Sequence, residues 1–238
     1  MDETRESFKE TEDHWISVSD MMTVLMAVFL FIAISYVSEV DEERTRYEDI
    51  ARSWEDTKGA LYRALDEEFR EDAVRWQADV DSVTLAVRFK EPDVLFASGS
   101  DALAPRFKDI LDEFFPRYID VLTGPDFKDE IAEVRIEGHT NSRWNAGATP
   151  LESYLGNMEL SQGRTASVLD YVTRLESISS GREWMWVRDH TIAIGFSYSK
   201  ALTNPDGTED LAASRRVEFR IVTKAQEKIE ELLAESRS

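Results

Sequence analysis

The pattern of apolar and polar positions divides the chain into three parts. Residues 21–37 are apolar apart from Thr23 and Ser35, and a run of roughly 17 residues is at the lower limit for a helix that spans a bilayer. From 38 to about 79 the chain is highly charged, and its sparse apolar residues recur at spacings of three, four and seven, which predicts helix. Beyond that, alternating and amphipathic segments follow one another, as in a folded domain of strands and helices.

The apolar run becomes long enough to cross a membrane when its flanks are included. Extending it back to Trp15 gives a comfortable span, with Trp15 and Tyr36 where interfacial aromatic residues belong. A buried helix of a soluble protein is the alternative. A cleaved signal peptide fits less well, because residues 1–14 are acidic rather than basic and no A-x-A-like site follows the run. We therefore predict an N-terminal tail at 1–14 and a transmembrane helix at 15–37.

Asp20 is the most informative residue of this segment. An ionisable group inside a membrane helix costs about 2.5–3.5 kcal/mol on insertion, so it usually has a function. Helical spacing puts it in a stripe of small and polar side chains, which suits packing against partner helices along a hydrated path. The stripe consists of Ser17, Asp20, Thr23 and Ala27. The alternative is that Asp20 lies near the headgroups and snorkels.

The charged segment at 38–80 is predicted to be a helical connector. Its apolar stripe fits a short coiled coil between two copies, and equally a solvated monomeric helix. The stripe is formed by Val40, Tyr47, Ile50, Trp54, Leu61, Leu65 and Phe69. Gly59 is expected to break or bend this helix.

Residues 81–223 are predicted to form a folded domain. Period-two alternation predicts a strand that begins near Ser82, and later alternating or short apolar runs predict more strands. These lie at 133–137, 191–196 and 216–222. Strands that alternate with helices predict an α+β fold, with an α/β sandwich in which helices cover one face of the sheet.

Three helices are predicted in and after this domain. The first follows Pro105, and Pro116 is expected to kink or interrupt it. A long loop at 138–156 precedes the second, an amphipathic helix at 160–175. The third closes the chain at 224–238.

Composition excludes several classes of function. A formal net charge of -20 argues against direct nucleic-acid binding, because phosphate backbones attract basic surfaces. The absence of cysteine removes disulfides, thiolate metal sites and cysteine nucleophiles. No nucleophile elbow, P-loop or dinucleotide motif is present, so we predict no enzyme, no catalytic residues and no cofactor. A zinc site of His14, His139 and His190 would need one histidine from across the membrane, so no metal site is predicted.

Four short motifs stand in the order of the OmpA-like peptidoglycan-binding family. They are Phe96–Ser100, Glu137–Asn141, Asn157–Arg164 and Ser214–Phe219. The resemblance covers roughly 94–222 and implies an OmpA-like domain, with a mixed sheet, that binds peptidoglycan.

The third motif, with the long loop before it, resembles the stator protein MotB more than OmpA. The segment Ser19–Thr23, in which an aspartate opens an apolar helix, also resembles the stator motif. This family has its N-terminus in the cytoplasm and its wall-binding domain in the periplasm, which implies a single-pass protein of the bacterial inner membrane. The helix text and the short charged connector are most similar to the ZorB subunits of the Zorya antiphage defence system. A flagellar stator and a passive tether between membrane and wall remain the alternatives.

The resemblance also implies a ligand and the residues that bind it. The ligand is the peptidoglycan stem peptide, whose diaminopimelate offers a carboxylate and an ammonium group. Arg164 is expected to pair with the carboxylate from the first turn of its helix, where backbone amides add donors. Thr140, Asn157 and Leu160 are expected to shape the pocket. Asn141 stands where the family normally carries aspartate, and an amide supplies no negative charge to an ammonium.

A mechanism and its partners follow from the same resemblance. Two copies form a homodimer whose membrane helices lie inside a ring of a multi-span subunit similar to MotA or ZorA. Asp20, with Ser17 and Thr23 beside it, takes up a proton, or alternatively a sodium ion, as the ion crosses. Neutralising the carboxylate changes which helix contacts are favourable, and each cycle drives rotation of the ring.

Overall fold

The computed structural model describes the backbone of residues 3–90, 95–97 and 99–235, and the side chains of this part of the chain from Met21 to Ala234. The chain divides into two compact units, Met1–Ile50 and Ala51–Ser238. In chain order the elements are α1 (Glu3–Trp76), β1 (Ala78–Asp81), β2 (Ala86–Lys90), α2 (Pro105–Leu122), β3 (Ile131–His139), α3 (Pro150–Arg174), α4 (Glu176–Ser179), α5 (Trp184–His190), β4 (Thr191–Gly195), β5 (Arg216–Thr223) and α6 (Lys224–Glu235).

The first unit is the N-terminal part of α1. By length and composition, α1 is apolar enough to cross a membrane, and none of the side chains in its apolar window is buried. Met21, Phe31 and Val37 are exposed by 71%, 72% and 65% of their surface. Such exposure of large apolar side chains requires an apolar environment or a partner to cover them.

The second unit begins within the predicted connector. Leu61, Leu65 and Phe69 of α1 are at most 1% exposed and belong to the main hydrophobic core. Helix α1 continues through Gly59, so no break occurs there; burial of the next turns outweighs the cost of about 1 kcal/mol for a helical glycine. The boundary predicted at residue 81 therefore lies inside the folded unit.

The sheet is mixed, with the strand order β1-β2-β5-β3-β4. Strands β3 and β4 are parallel, and the other neighbours are antiparallel. One face carries Phe89 and Phe219, whose rings lie 5.1 and 5.0 Å from that of Phe114 on α2. The opposite face carries Arg88 and Glu218, because successive side chains of a strand alternate between faces. The α+β class with helices on one face of a mixed sheet is confirmed.

The first predicted strand is misplaced. Residues 82–85 form a turn between β1 and β2, in which the Asp81 carboxylate accepts hydrogen bonds from the Val83 and Thr84 amides at 2.8 and 2.9 Å. Leu85 has a positive φ of 52°. An aspartate that caps its own turn competes with strand pairing, and this local chemistry outweighed the alternating pattern.

Helix α2 begins at Pro105, as predicted, but Pro116 does not interrupt it. The neighbouring Phe114, Phe115 and Tyr118 are fully buried. Each buried aromatic side chain contributes about 1.5–3 kcal/mol, and this burial holds the helix together across the proline.

Helix α3 begins ten residues before the predicted start, at Pro150 rather than Leu160. Thr149 and Glu152 form a capping box: the Thr149 hydroxyl accepts from the Glu152 amide at 3.2 Å, and the Glu152 carboxylate accepts from the Thr149 amide at 2.7 Å. The Thr-Pro-x-Glu text is a helix-start signal that the sequence analysis missed. Arg164 therefore lies in the middle of its helix, and the prediction that first-turn amides add donors beside it is wrong.

Two glycines allow α3 to lie directly on the sheet. Gly138 of β3 and Gly195 of β4 are register partners. A Cβ atom at Gly138 would lie 2.8 Å from the Ser161 carbonyl oxygen, and one at Gly195 would lie 2.5 Å from the Gln162 backbone nitrogen. Both glycines are needed because a helix backbone approaches the strands closely.

Candidate ligand-binding cleft

A cleft of about 450 Å³ lies between α3 and the loops that follow β3 and precede β5. It brings together all five residues predicted to bind the ligand, Thr140, Asn141, Asn157, Leu160 and Arg164, and its lining is completed by Gly99, Arg143, Trp144, Leu211, Ala212 and Arg215. Together the lining residues come from four separate segments of the chain. Their binding role stays a prediction.

Asn141 ties the two loops of the cleft together. Its side-chain nitrogen donates to the Leu211 carbonyl at 3.0 Å, and its side-chain oxygen accepts from the Arg143 amide at 3.1 Å. An ionised aspartate has no donor and would place charge against the Leu211 carbonyl. The amide is therefore the side chain that this loop geometry requires.

Asn157 anchors the same loop to α3. It is 2% exposed, and its side-chain nitrogen donates to the Ser153 carbonyl at 3.0 Å and the Arg143 carbonyl at 3.4 Å. Thr140 is 3% exposed, and its amide donates to the Ser197 carbonyl at 2.9 Å. The side-chain amides of Asn141 and Asn157 are thus committed to holding the walls of the cleft.

Arg164 is both a wall and a source of positive charge. It is 9% exposed, its Nε donates to the Ser100 carbonyl at 3.0 Å, and its guanidinium carbon lies 4.8 Å from the centre of the Phe96 ring. With Arg143 and Arg215 it makes the cleft cationic, which suits a carboxylate. The sequence analysis did not select Arg215, which the structure also places in the cleft lining.

A second cleft of about 310 Å³ adjoins the first. The two share Gly99, Trp144 and Leu160, and the second adds Ser100, Asp101, Gly156 and Glu159. Trp144 is 39% exposed. Its ring rests on α3 at Gly156, where an added Cβ would lie 2.5 Å from the indole carbons. The sequence analysis did not select Trp144; an aromatic residue in a loop between two binding motifs was the signal for it.

A buried charge network covers the outer face of the sheet behind the motif Glu137–Asn141. The Glu218 carboxylate accepts from Arg88 Nε at 2.8 Å and from Arg216 Nε at 2.5 Å. Burial by itself raises the pKa of Glu218, but the guanidinium groups of Arg216 and Arg88 together hold that pKa below its usual value.

His139 lies in this network rather than in the cleft. Its ring stacks on Phe196 with the ring centres 5.2 Å apart, and its Nε2 is 3.6 Å from the Glu137 carboxylate. The ligand atoms of Glu137, His139 and Glu218 lie within 4.8 Å of one another. The guanidinium groups of Arg88 and Arg216 already neutralise Glu218, so this set fits an ion-pair network better than a metal site.

His139 makes the fold sensitive to acid. Burial lowers the pKa of His139, and Glu137 partly opposes this shift. As the pH falls below the ordinary histidine pKa of about 6.5, the unfolded chain therefore takes up a proton at this residue before the folded chain does. The free energy of unfolding should decrease from there until the pH passes the folded pKa. His139→Gln should flatten this part of the curve, measured by denaturant unfolding of the full chain in detergent micelles. An equally steep decrease in the variant would contradict the assignment to His139.

The predicted ion-translocating residues lie in α1. Thr23 is exposed on the helix surface, next to a shallow apolar groove formed with Met22, Leu25, Met26 and Phe29. The side chains of Ser17 and Asp20 lie outside the described residues. Their role remains a prediction from the sequence.

Comparison with known proteins gives two relatives over nearly the whole chain. No family model matches it. The chain is 43% identical over 226 residues to the Zorya protein ZorB of Escherichia coli strain Crooks, covering 95% of this chain and 94% of that protein. It is 27% identical over 223 residues to a Zorya protein ZorB of a second Escherichia coli strain, covering 91% and 83%.

Solved structures to which this chain is similar include a MotB-like protein from Desulfovibrio vulgaris, at 22% identity and a TM-score of 0.48, covering 71% of this chain and 93% of that chain. The cell wall anchor of the T6SS from Pseudomonas aeruginosa matches at 22% identity and a TM-score of 0.44, covering 67% and 97%.

Proposed function

We propose a function from the premise that the chain belongs to the ZorB family of Zorya proteins. In this proposal the chain is the peptidoglycan-anchored B subunit of a proton-driven stator in the bacterial inner membrane. The observation that carries the proposal is the 43% identity to a ZorB protein, which extends over 95% of this chain and so includes both the apolar helix and the folded unit. We propose that the stator acts in antiphage defence.

The cationic cleft supports the anchoring role. Its three arginines, Arg143, Arg164 and Arg215, suit the carboxylate of a peptidoglycan stem peptide. Its walls are fastened by Asn141 and Asn157 through hydrogen bonds to backbone carbonyls, so the ligand meets a preformed site and little ordering is needed on binding.

The exposed apolar helix supports the membrane role. Two copies of the chain would place two such helices inside a ring of a multi-span MotA- or ZorA-like subunit, with the N-termini in the cytoplasm and the folded units in the periplasm. Asp20 is the group that takes up and releases the proton, beside the hydroxyl groups of Ser17 and Thr23. Its neutralisation favours a different set of helix contacts, and the wall-bound dimer stays still while the ring turns.

The proposal is tested by complementation. The wild-type chain is co-expressed with the multi-span membrane protein encoded beside it, in a host that lacks both, and phage plating and swimming are measured. Protection from phage without an effect on swimming is the expected result. Restored swimming would make this a flagellar stator subunit. If neither phage protection nor swimming changes while the chain still binds sacculi, the passive tether is the function that remains.

Gly156→Ala should separate affinity from stability. Alanine is favoured over glycine in a helix by up to about 1 kcal/mol, whereas the added Cβ displaces the Trp144 ring from its seat on α3. We expect an unchanged or higher melting temperature together with severalfold weaker co-sedimentation with peptidoglycan sacculi. Gly59→Ala, where the nearest atom to an added Cβ is 3.8 Å away, is the matched control and should leave sedimentation unchanged. Full wall binding by Gly156→Ala would show that Trp144 does not contribute.

A further inference from the structure

The two adjoining clefts carry opposite charge. Among the described residues, the charged side chains that line the larger cleft are Arg143, Arg164 and Arg215. Those that line the smaller cleft are Asp101 and Glu159. Because the clefts share a wall at Trp144, one ligand of modest length reaches both.

The larger cleft is a poor place for an ammonium group. A cation there would face three guanidinium groups that line the same cleft, and like charges repel more strongly where water is partly excluded. Asn141 supplies no charge, and its side-chain oxygen already accepts a hydrogen bond from the Arg143 amide at 3.1 Å. The amine of a zwitterionic ligand therefore needs a carboxylate from another part of the site.

The smaller cleft has the chemistry that an ammonium group requires. Two carboxylates offer charge-assisted hydrogen bonds, and the half-exposed indole of Trp144 offers a face to a cation. The Asp101 carboxylate lies against α3, 3.0 Å from where a Cβ at Gly163 would be. The preceding residue, Ser100, is held by Arg164 through a 3.0 Å hydrogen bond, so Asp101 is positioned by the same arginine that lines the cationic cleft.

We propose that Asp101, Glu159 and Trp144 form an ammonium subsite next to the cationic cleft. This inference rests on the proposed function of wall binding. The ligand is a stem-peptide residue that carries a carboxylate and a distal primary amine. The ligand carboxylate lies among the arginines of the larger cleft, and its amine extends past Trp144 to the carboxylates of Asp101 and Glu159. The negative charge that Asn141 lacks is thereby supplied from a segment before α2 and from α3.

The test uses the full chain in detergent micelles and isothermal titration calorimetry. The probes are the tripeptide L-alanyl-D-γ-glutamyl-meso-diaminopimelate and its analogue with the distal amine acetylated. Wild type should bind the free amine at least about tenfold more tightly than the acetylated form, the scale expected for hydrogen bonds to charged groups. Asp101→Asn combined with Glu159→Gln should lose this discrimination. Asp126→Asn combined with Glu176→Gln removes two exposed charges outside both clefts and should keep it.

Variants of Trp144 test the shared wall. Trp144→Phe should keep most of the discrimination, and Trp144→Ala should lose it severalfold. Equal affinity of wild type for the two tripeptides would overturn the ammonium subsite while leaving wall binding intact. Binding of neither tripeptide nor sacculi would instead overturn the proposed function. The peptide-free glycan disaccharide is tested as a competitor. Competition that Trp144→Ala abolishes but the double carboxylate variant does not would show that the smaller cleft binds sugar, and it would also overturn the subsite.

Discussion

Replacing Asp20 by Asn is expected to reduce phage protection to the level of cells without the chain. Asparagine has nearly the same shape but binds no proton at any physiological pH, so the change of charge that the proposed cycle requires is lost. Insertion should become easier, because a neutral side chain is less costly in a bilayer. The measurement is the efficiency of phage plating beside immunoblots of the membrane fraction and co-purification with the multi-span partner.

The controls for Asp20 separate charge from packing. Asp20→Glu keeps an ionisable carboxylate and should retain part of the protection. Thr23→Val removes a hydroxyl of the same stripe without removing the carboxylate and should have a smaller effect than Asp20→Asn. Full protection by Asp20→Asn, at normal membrane levels, would rule out an ion-carrying role for this residue.

Gly195→Ala is expected to destabilise the folded unit by about 3 kcal/mol, the upper end of the range for overpacking. The added Cβ would lie 2.5 Å from the Gln162 backbone nitrogen and 2.7 Å from the Ser161 hydroxyl. That hydroxyl also accepts from the Ser197 amide at 3.0 Å, so α3 must move away from the sheet and this bond is strained. Denaturant unfolding of the full chain in detergent measures the loss.

The same displacement should weaken wall binding, because α3 carries Asn157, Leu160 and Arg164 into the cleft. Gly59→Ala is the matched control: it makes the same chemical change in an uncrowded helical position and should stabilise by up to about 1 kcal/mol. Wild-type stability of Gly195→Ala would show that α3 has room to move and that the glycine pair does not set its position.

The five cleft residues could be predicted because the motifs that resemble the OmpA-like family are local. The residue types and spacing that define Glu137–Asn141 and Asn157–Arg164 can be recognised from a few consecutive residues, without knowledge of the tertiary structure. The start of α3 could have been predicted in the same way, because Thr149 and Glu152 have the spacing of a capping box. The misplaced strand at Ser82 had a local cause too, the turn capped by Asp81.

Other features had no local signal. Leu61, Leu65 and Phe69 have the same spacing whether they face a second helix or the core of a domain, so the pattern left the connector undecided. Pro116 predicts an interruption from backbone chemistry alone, and only the burial of Phe114 and Tyr118 beside it shows why the helix continues.

The sequence by itself determined the apolar helix with its aspartate and the α+β class, because periodicity depends on neighbours along the chain. The resemblance of its short motifs to the OmpA-like family implied five residues of the cleft. Only the tertiary structure decided that Asn141 fastens one loop to another, that Arg164 holds Ser100, and that acidic and cationic clefts share Trp144. The two hydrogen bonds join residues 70 and 64 positions apart in the chain, and such pairings depend on how distant segments pack together rather than on any local pattern.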